Sequence, residues 1–127
     1  MPEIPVISIV DDDESVRVAT KRLVRSLGFV GHAFASADEF LQSPWLADTS
    51  CVIADVQMPG ISGLELQQLL VARGHRTPVI FITAFPDDRV RARALQAGAI
   101  CFLTKPCHGT TLIQCLEMAL NKDRAEH

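Results

Sequence analysis

Short runs of branched apolar residues alternate along this chain with stretches of helical period. Val6-Ile7-Ser8-Ile9-Val10, Cys51-Val52-Ile53-Ala54 and Val79-Ile80-Phe81-Ile82 are too short for helices and too uniformly apolar for strands with one wet face. Between them lie segments whose apolar residues recur every three or four positions, as on helices that cover a sheet. That alternation is the signature of a parallel sheet wrapped on both faces by crossover helices. We place strands at 5–10, 30–35, 51–55, 78–83 and 100–104, and helices at 14–27, 36–43, 64–73, 87–97 and 109–121. Val16, Ala19, Leu23 and Leu27 set the inner face of the first helix. Leu64, Leu66, Leu69 and Leu70 set that of the third, and Leu112, Ile113, Leu116 and Leu120 that of the last. Ala94, Leu95 and Ala97 precede Gly98 as the end of the fourth, while Gly28 and Gly74 are the other expected helix stops. With 127 residues, 48% of them hydrophobic, one domain with a substantial core is expected over 5–121, flanked by tails at 1–4 and 122–127.

The apolar runs each end in a polar group. Val10 is followed by Asp11-Asp12-Asp13, Ala54 by Asp55, Ile82 by Thr83 and Leu103 by Thr104-Lys105-Pro106. Carboxyl ends of parallel strands are where open α/β sheets place ligand sites. Asp55 is the most informative of these residues, because Met58-Pro59-Gly60 forces the chain to turn just beyond it. Three converging carboxylates repel one another and call for a cation. Hard oxygen donors without His or Cys suit Mg²⁺, with Mn²⁺ as the alternative. A lysine can meet both a carboxylate and an incoming phosphate, and a threonine hydroxyl can donate to the same phosphate. Together they describe phosphoryl transfer with a carboxylate nucleophile. Asp13 and Glu14 are better explained as the start of the first helix.

These motifs, in this order, resemble the two-component response-regulator receiver domain, and most of all its FixJ-type subgroup. The matching residues are Ile9-Val10-Asp11-Asp12, Asp55 through Gly63, Thr83-Ala84, Ala97-Gly98-Ala99 and Lys105-Pro106. The resemblance spans about 5 to 121. It implies a flavodoxin-like, doubly wound sheet of five parallel strands in the order 2-1-3-4-5 with five helices. It implies Asp55 as phosphoacceptor and Mg²⁺ on Asp11, Asp12, Asp55 and the Gln57 backbone carbonyl. Thr83 and Lys105 would contact the phosphoryl group, Phe102 would be the switch aromatic, and the Lys105-Pro106 bond would be cis. A sensor histidine kinase would be the donor, and phosphorylation would alter the 87–121 surface, through which a homodimer could form. Such a domain takes phosphoryl groups from phosphohistidine or small donors and loses them slowly, without being an enzyme in the usual sense. Cys107 departs from the family's bulky apolar residue, and Phe85 and Gln57 occupy positions that tune phosphoryl lifetime.

Other classes of function have less support. A Mg²⁺-dependent aspartyl-phosphate phosphohydrolase would carry an acid two residues after its nucleophile, where this chain has Gln57, and would need room for a cap. A phosphorylation-independent interaction domain would not need the acids, threonine and lysine together. No Gly-x-x-x-x-Gly-Lys loop is present for nucleotide. A net charge of −3 gives no basic footprint for nucleic acid. No stretch approaches the roughly 18 apolar residues of a membrane span. The amino terminus lacks a basic, apolar leader pattern, so a cytoplasmic location is expected. The four cysteines read as small core residues, since Cys101, Cys107, His108 and Cys115 lack zinc spacing. The four histidines read as loop or surface residues.

Overall fold

The computed structural model describes residues 4–125, with side chains to residue 121. Five strands alternate with five helices: β1 Val6–Val10, α1 Glu14–Ser26, β2 Val30–Phe34, α2 Ala37–Leu41, β3 Cys51–Asp55, α3 Gly63–Ala72, β4 Val79–Thr83, α4 Asp88–Gln96, β5 Cys101–Thr104 and α5 Gly109–Ala125. All strand pairs are parallel, in the order β2-β1-β3-β4-β5. This is the expected doubly wound sheet. Strands β3 and β4 lie inside it and are buried at every position, which is why they are apolar up to their last residues, Asp55 and Thr83. β2 and β5 form the edges, and their mixed sequences, Val-Gly-His-Ala-Phe and Cys-Phe-Leu-Thr, are only partly covered.

Alternation along each strand divides the core into two layers. Val10, Val52, Ala54, Val79 and Phe81 pack with Phe40, Leu66, Leu70 and Ala94 on one face. Ile7, Ile9, Ile53, Ile80 and Ile82 pack with Val24, Leu112, Cys115 and Leu116 on the other. Phe40 and Phe81 are fully buried, and burial of each such side chain contributes roughly 1.5–3 kcal/mol.

The helices start and stop for local reasons. Asp13 caps α1, accepting from the Ser15 and Val16 N–H groups. Ser62 and Glu65 form a reciprocal capping box on α3. Gly28 takes φ +89° after α1, and the two other expected helix stops do likewise. α2 ends earlier than the 36–43 expected, because Gln42 caps it and Pro44 has no N–H to continue it. α5 corrects the expected tail: it continues past 121 to Ala125. Tail residues 1–3 and 126–127, His127 included, lie outside the described residues.

Several inner faces are rotated from the expected ones. α1 buries Thr20 and Val24 and exposes Ala19. α3 adds buried Gln67 to Leu66 and Leu70, leaving Leu64 and Leu69 half-covered. α4 buries Ala94 and leaves Leu95 and Ala97 exposed. His32 belongs to strand β2 rather than to a loop, and its ring stacks on Trp45 at 4.1 Å.

Candidate functional site

Register brings the site together. Val10 pairs with Ala54 across β1 and β3, so the next residues, Asp11 and Asp55, leave the sheet side by side. β3 pairs with β4 up to Asp55 and Ile82, which puts Thr83 one position beyond. β4 pairs with β5 through Thr83 and Thr104, and the Lys105 N–H donates to the Thr83 carbonyl at 2.7 Å. The Lys105-Pro106 bond is cis, as expected.

At this edge Lys105 Nζ lies 2.9 Å from Asp11 Oδ2 and 3.1 Å from Asp55 Oδ2. Asp55 Oδ1 accepts from the Gln57 N–H at 3.1 Å, which fixes the carboxylate plane. Asp11 Oδ1 accepts from the Asp13 N–H at 2.9 Å. Asp11 and Asp55 are buried and Asp12 is exposed, yet one oxygen from each of the three lies within 4.8 Å of the others. One ammonium among three carboxylates leaves a net negative cleft. Its oxygen-only donor set is the chemistry a hard divalent cation requires, so these residues fit Mg²⁺. The Gln57 carbonyl belongs to the same loop.

Burial and charge act on these groups in opposed ways. Burial raises the Asp11 carboxyl above its ordinary value, and the Lys105 hydrogen bond only partly offsets it. For Lys105 burial works to lower the value, but hydrogen bonds and attraction from Asp11 and Asp55 outweigh it and hold the ammonium more firmly protonated. The two directions favour different proton states of one ion pair. We take the charged pair as the neutral-pH state, because its contact is short and Lys105 is shared with a second carboxylate.

Thr83 is buried, and its Oγ1 accepts from the Phe85 N–H at 3.1 Å, so the hydroxyl proton is free to point elsewhere. Phe85 itself is 70% exposed. Phe102 is half-buried, its ring 6.3 Å from that of Phe81 and inclined at 55°. It therefore lies on the opposite face of β5 from Cys101 and Leu103. Thus Asp11, Asp12, Asp55 and Lys105 converge directly, Thr83 joins them through the β4–β5 backbone, and Phe102 stands behind.

Two features of the site escaped sequence reasoning. Arg17 Nη1 donates to the Asp11 carbonyl at 2.8 Å, pinning the acidic loop from within α1. Its only trace in the sequence is a basic residue six positions after an acid, which solvated helix faces share. Gly63 meets the site through what it lacks: a Cβ there would collide with the Asp55 carbonyl and approach Phe81 to 3.0 Å. The Gly63 N–H also donates to the Val56 carbonyl at 2.9 Å, which closes the loop after Asp55.

A sheet of this order with such an edge defines a class. The family model of the response regulator receiver domain matches residues 7–117, and the chain belongs to that family. It is a receiver domain of two-component response regulators, a phosphorylation-controlled signalling switch rather than a member of an enzyme class. Nodulation protein W of Bradyrhizobium diazoefficiens is 40% identical over 119 residues, covering 94% of this chain and 52% of that protein. The transcriptional regulatory protein FixJ of Azorhizobium caulinodans is 37% identical over 122 residues, covering 96% and 58%. The crystal structure of FixJ-N matches at a TM-score of 0.83 and 32% identity, covering 95% of this chain and 96% of that one. The chain spans about half the length of the curated relatives it matches. Among the described residues, no helix is long and apolar enough to cross a membrane.

Proposed function

We propose that Asp55 is the phosphoacceptor and that this cleft carries out its own phosphorylation with Mg²⁺ held by Asp11, Asp12, Asp55 and the Gln57 carbonyl. The observation that carries this reading is the shared contact of Lys105 Nζ with Asp11 and Asp55 beside a third carboxylate. Bound Mg²⁺ (or Mn²⁺) supplies positive charge that offsets repulsion between the carboxylates and an anionic donor.

Asp55 Oδ1 is oriented by the Gln57 N–H, and an Asp55 carboxylate oxygen attacks the phosphorus of the donor. An O–P bond forms as the donor's bond to phosphorus breaks: P–N in a phosphohistidine, P–O in acetyl phosphate. Lys105 then pairs with a phosphoryl oxygen in place of the Asp55 oxygen that it now contacts. Thr83 donates its hydroxyl proton to another, which moves the 83–86 loop toward Asp55 and gives Phe102 room to turn inward. The donor is a sensor histidine kinase, and the 87–121 face is the surface that changes and through which copies associate. The segment works in the cytoplasm and does not itself bind nucleic acid. Water releases the phosphoryl group slowly, at a rate set in part by Gln57 and Phe85.

Incubation with acetyl phosphate and Mg²⁺ tests the reading. One hydroxylamine-sensitive phosphoryl per chain is expected, absent from Asp55→Asn and absent in excess EDTA. Labelling of Asp55→Asn at another aspartate would refute the assignment. Rapid turnover of many donor equivalents would identify a phosphohydrolase instead.

A further inference from the structure

His32 and Trp45 form a pair at the β2 edge of the sheet, outside the carboxylate cleft, and phosphoryl transfer uses neither. Their ring centroids lie 4.1 Å apart, with the planes 15° from parallel. Trp45 belongs to the connection between α2 and β3 and is 41% exposed, so the stack covers part of its surface and leaves the rest to solvent. His32 Nε2, by contrast, is buried and has no hydrogen-bond partner among the described residues. A polar thread ties the same connection to the sheet. Thr49 Oγ1 donates its one proton to the Trp45 carbonyl at 2.7 Å, so in its 2.7 Å contact with Ser8 Oγ the serine is the donor. Ser8 stands directly opposite His32 in the β1–β2 register. Stack, thread and strand pair thus close a circuit of four residues, with one buried nitrogen left out of it.

We propose that this pair is an acid-released latch: protonation of His32 unseats its ring from Trp45 and frees the 42–50 connection from the β2 edge. The neutral imidazole carries one N–H, and with that proton on Nδ1 the buried Nε2 is a bare lone pair. The imidazolium carries N–H on both nitrogens, which puts an unpartnered donor and a positive charge in the buried position. A solvent proton added to Nε2 is therefore better hydrated with the ring turned out to water. No neighbouring carboxylate compensates. β1 faces the ring with the Ser8 hydroxyl, and α1 contributes two cations, Lys21 and Arg25. On α2 the Glu39 carboxylate accepts the Ala35 N–H at 2.7 Å, and Asp38, like Asp48 in the connection itself, is exposed. Burial first, and then Lys21 and Arg25, hold the imidazole below its ordinary 6.5.

One interaction opposes release. The face of a tryptophan attracts a cation, so an imidazolium that stayed stacked would gain from Trp45. That gain falls on an indole open to water, whereas the penalty falls on a nitrogen shut away from it, and the penalty is the larger. The closed arrangement holds His32 below 6.5 and the open ring titrates near 6.5, so the latch is closed above that pH. Each pH unit below it tilts the balance about tenfold toward the open arrangement, until the closed ring itself protonates. Once released, Trp45 carries its carbonyl away from Thr49, and the thread to Ser8 parts with it.

The test titrates the full chain from about pH 8 to about pH 5, the range in which histidine changes charge. Fluorescence emission, the His32 ring shifts by NMR and far-UV circular dichroism are read at each step. The chain has one tryptophan and no tyrosine, so the emission reports Trp45 alone. The expected result is a single-proton transition with its midpoint below 6.5, in which the emission maximum moves to longer wavelength. His32 should titrate at the same midpoint while the circular dichroism stays constant. His32→Phe keeps a ring to stack and has nothing to protonate, so its emission should stay flat. A fall in intensity without the wavelength shift would show the imidazolium still seated on Trp45 and would overturn the proposal. So would a transition that persists in His32→Phe, a His32 midpoint at or above 6.5, or loss of circular dichroism at the same midpoint. The wild-type titration decides the matter even where His32→Phe fails to fold.

Discussion

Replacing Lys105 with methionine keeps most of the side chain's length and removes its charge. Its Nζ lies 2.9 Å from Asp11 and 3.1 Å from Asp55, with side chains 4% and 9% exposed. At an effective dielectric of about 20, each contact is worth roughly 5 kcal/mol of Coulomb attraction, and desolvation takes back much of it. Removing one partner of such a buried pair costs about 3–5 kcal/mol, because the charge left behind is unpaired. Two carboxylates are left here, but the cleft opens to solvent, so we expect the low end, about 3 kcal/mol. With a urea slope of about 1.5 kcal/mol/M, the midpoint at pH 7 should fall by roughly 2 M.

The pH dependence separates charge from packing. In the wild type the raised Lys105 value means its contribution is fully present at pH 7 and is lost only as pH rises through the folded value. In the variant, Asp11 loses the hydrogen bond that chiefly lowered it, so its folded value climbs further above the ordinary 3.8. A carboxyl raised in the folded state favours folding when protonated. The deficit should therefore be small below the unfolded value near 3.8 and open as pH rises through the folded value. Millimolar Mg²⁺ should also narrow it at pH 7, by replacing the lost cation. A deficit of equal size in acid and at neutrality, and unmoved by Mg²⁺, would show that only packing was lost.

Asp12→Ala should abolish Mg²⁺-dependent labelling by acetyl phosphate while shifting stability by no more than about 0.5 kcal/mol, since Asp12 is exposed; intact mass and urea unfolding read the two. Gly63→Ala should destabilise by about 1–3 kcal/mol in urea, because the new Cβ meets the Asp55 carbonyl. Thr83→Ala should still be phosphorylated, but amide shifts on adding beryllofluoride should stay near Asp55 and fail to reach Phe102. Arg17→Ala should weaken Mg²⁺ binding severalfold in a fluorescence or calorimetric titration, through loosening of the Asp11 carbonyl.

The sequence by itself determined the layer architecture and most of the cleft. Strands buried on both faces must be mostly apolar, so β1, β3 and β4 are legible as runs, and the limits of β3, 51–55, are those the sequence predicts. Because the strands are parallel, their carboxyl ends share one edge, so Asp11, Asp55, Thr83 and Lys105 could be assembled from chain order alone. Helix starts and stops were readable from Asp13, Gly28 and their like because caps are local, made within a few residues of one another. What only the tertiary structure decided is which way each helix turns and what reaches across. α1 buries Thr20 and exposes Ala19, and α3 buries Gln67 so that its amide can donate to the Ala94 carbonyl at 3.2 Å, because the neighbouring element, not side-chain polarity, selects the inner face. Arg17 on Asp11 and the space that Gly63 leaves for Asp55 share that origin. Each is a contact between residues that no local pattern links, fixed only when helix and sheet dock.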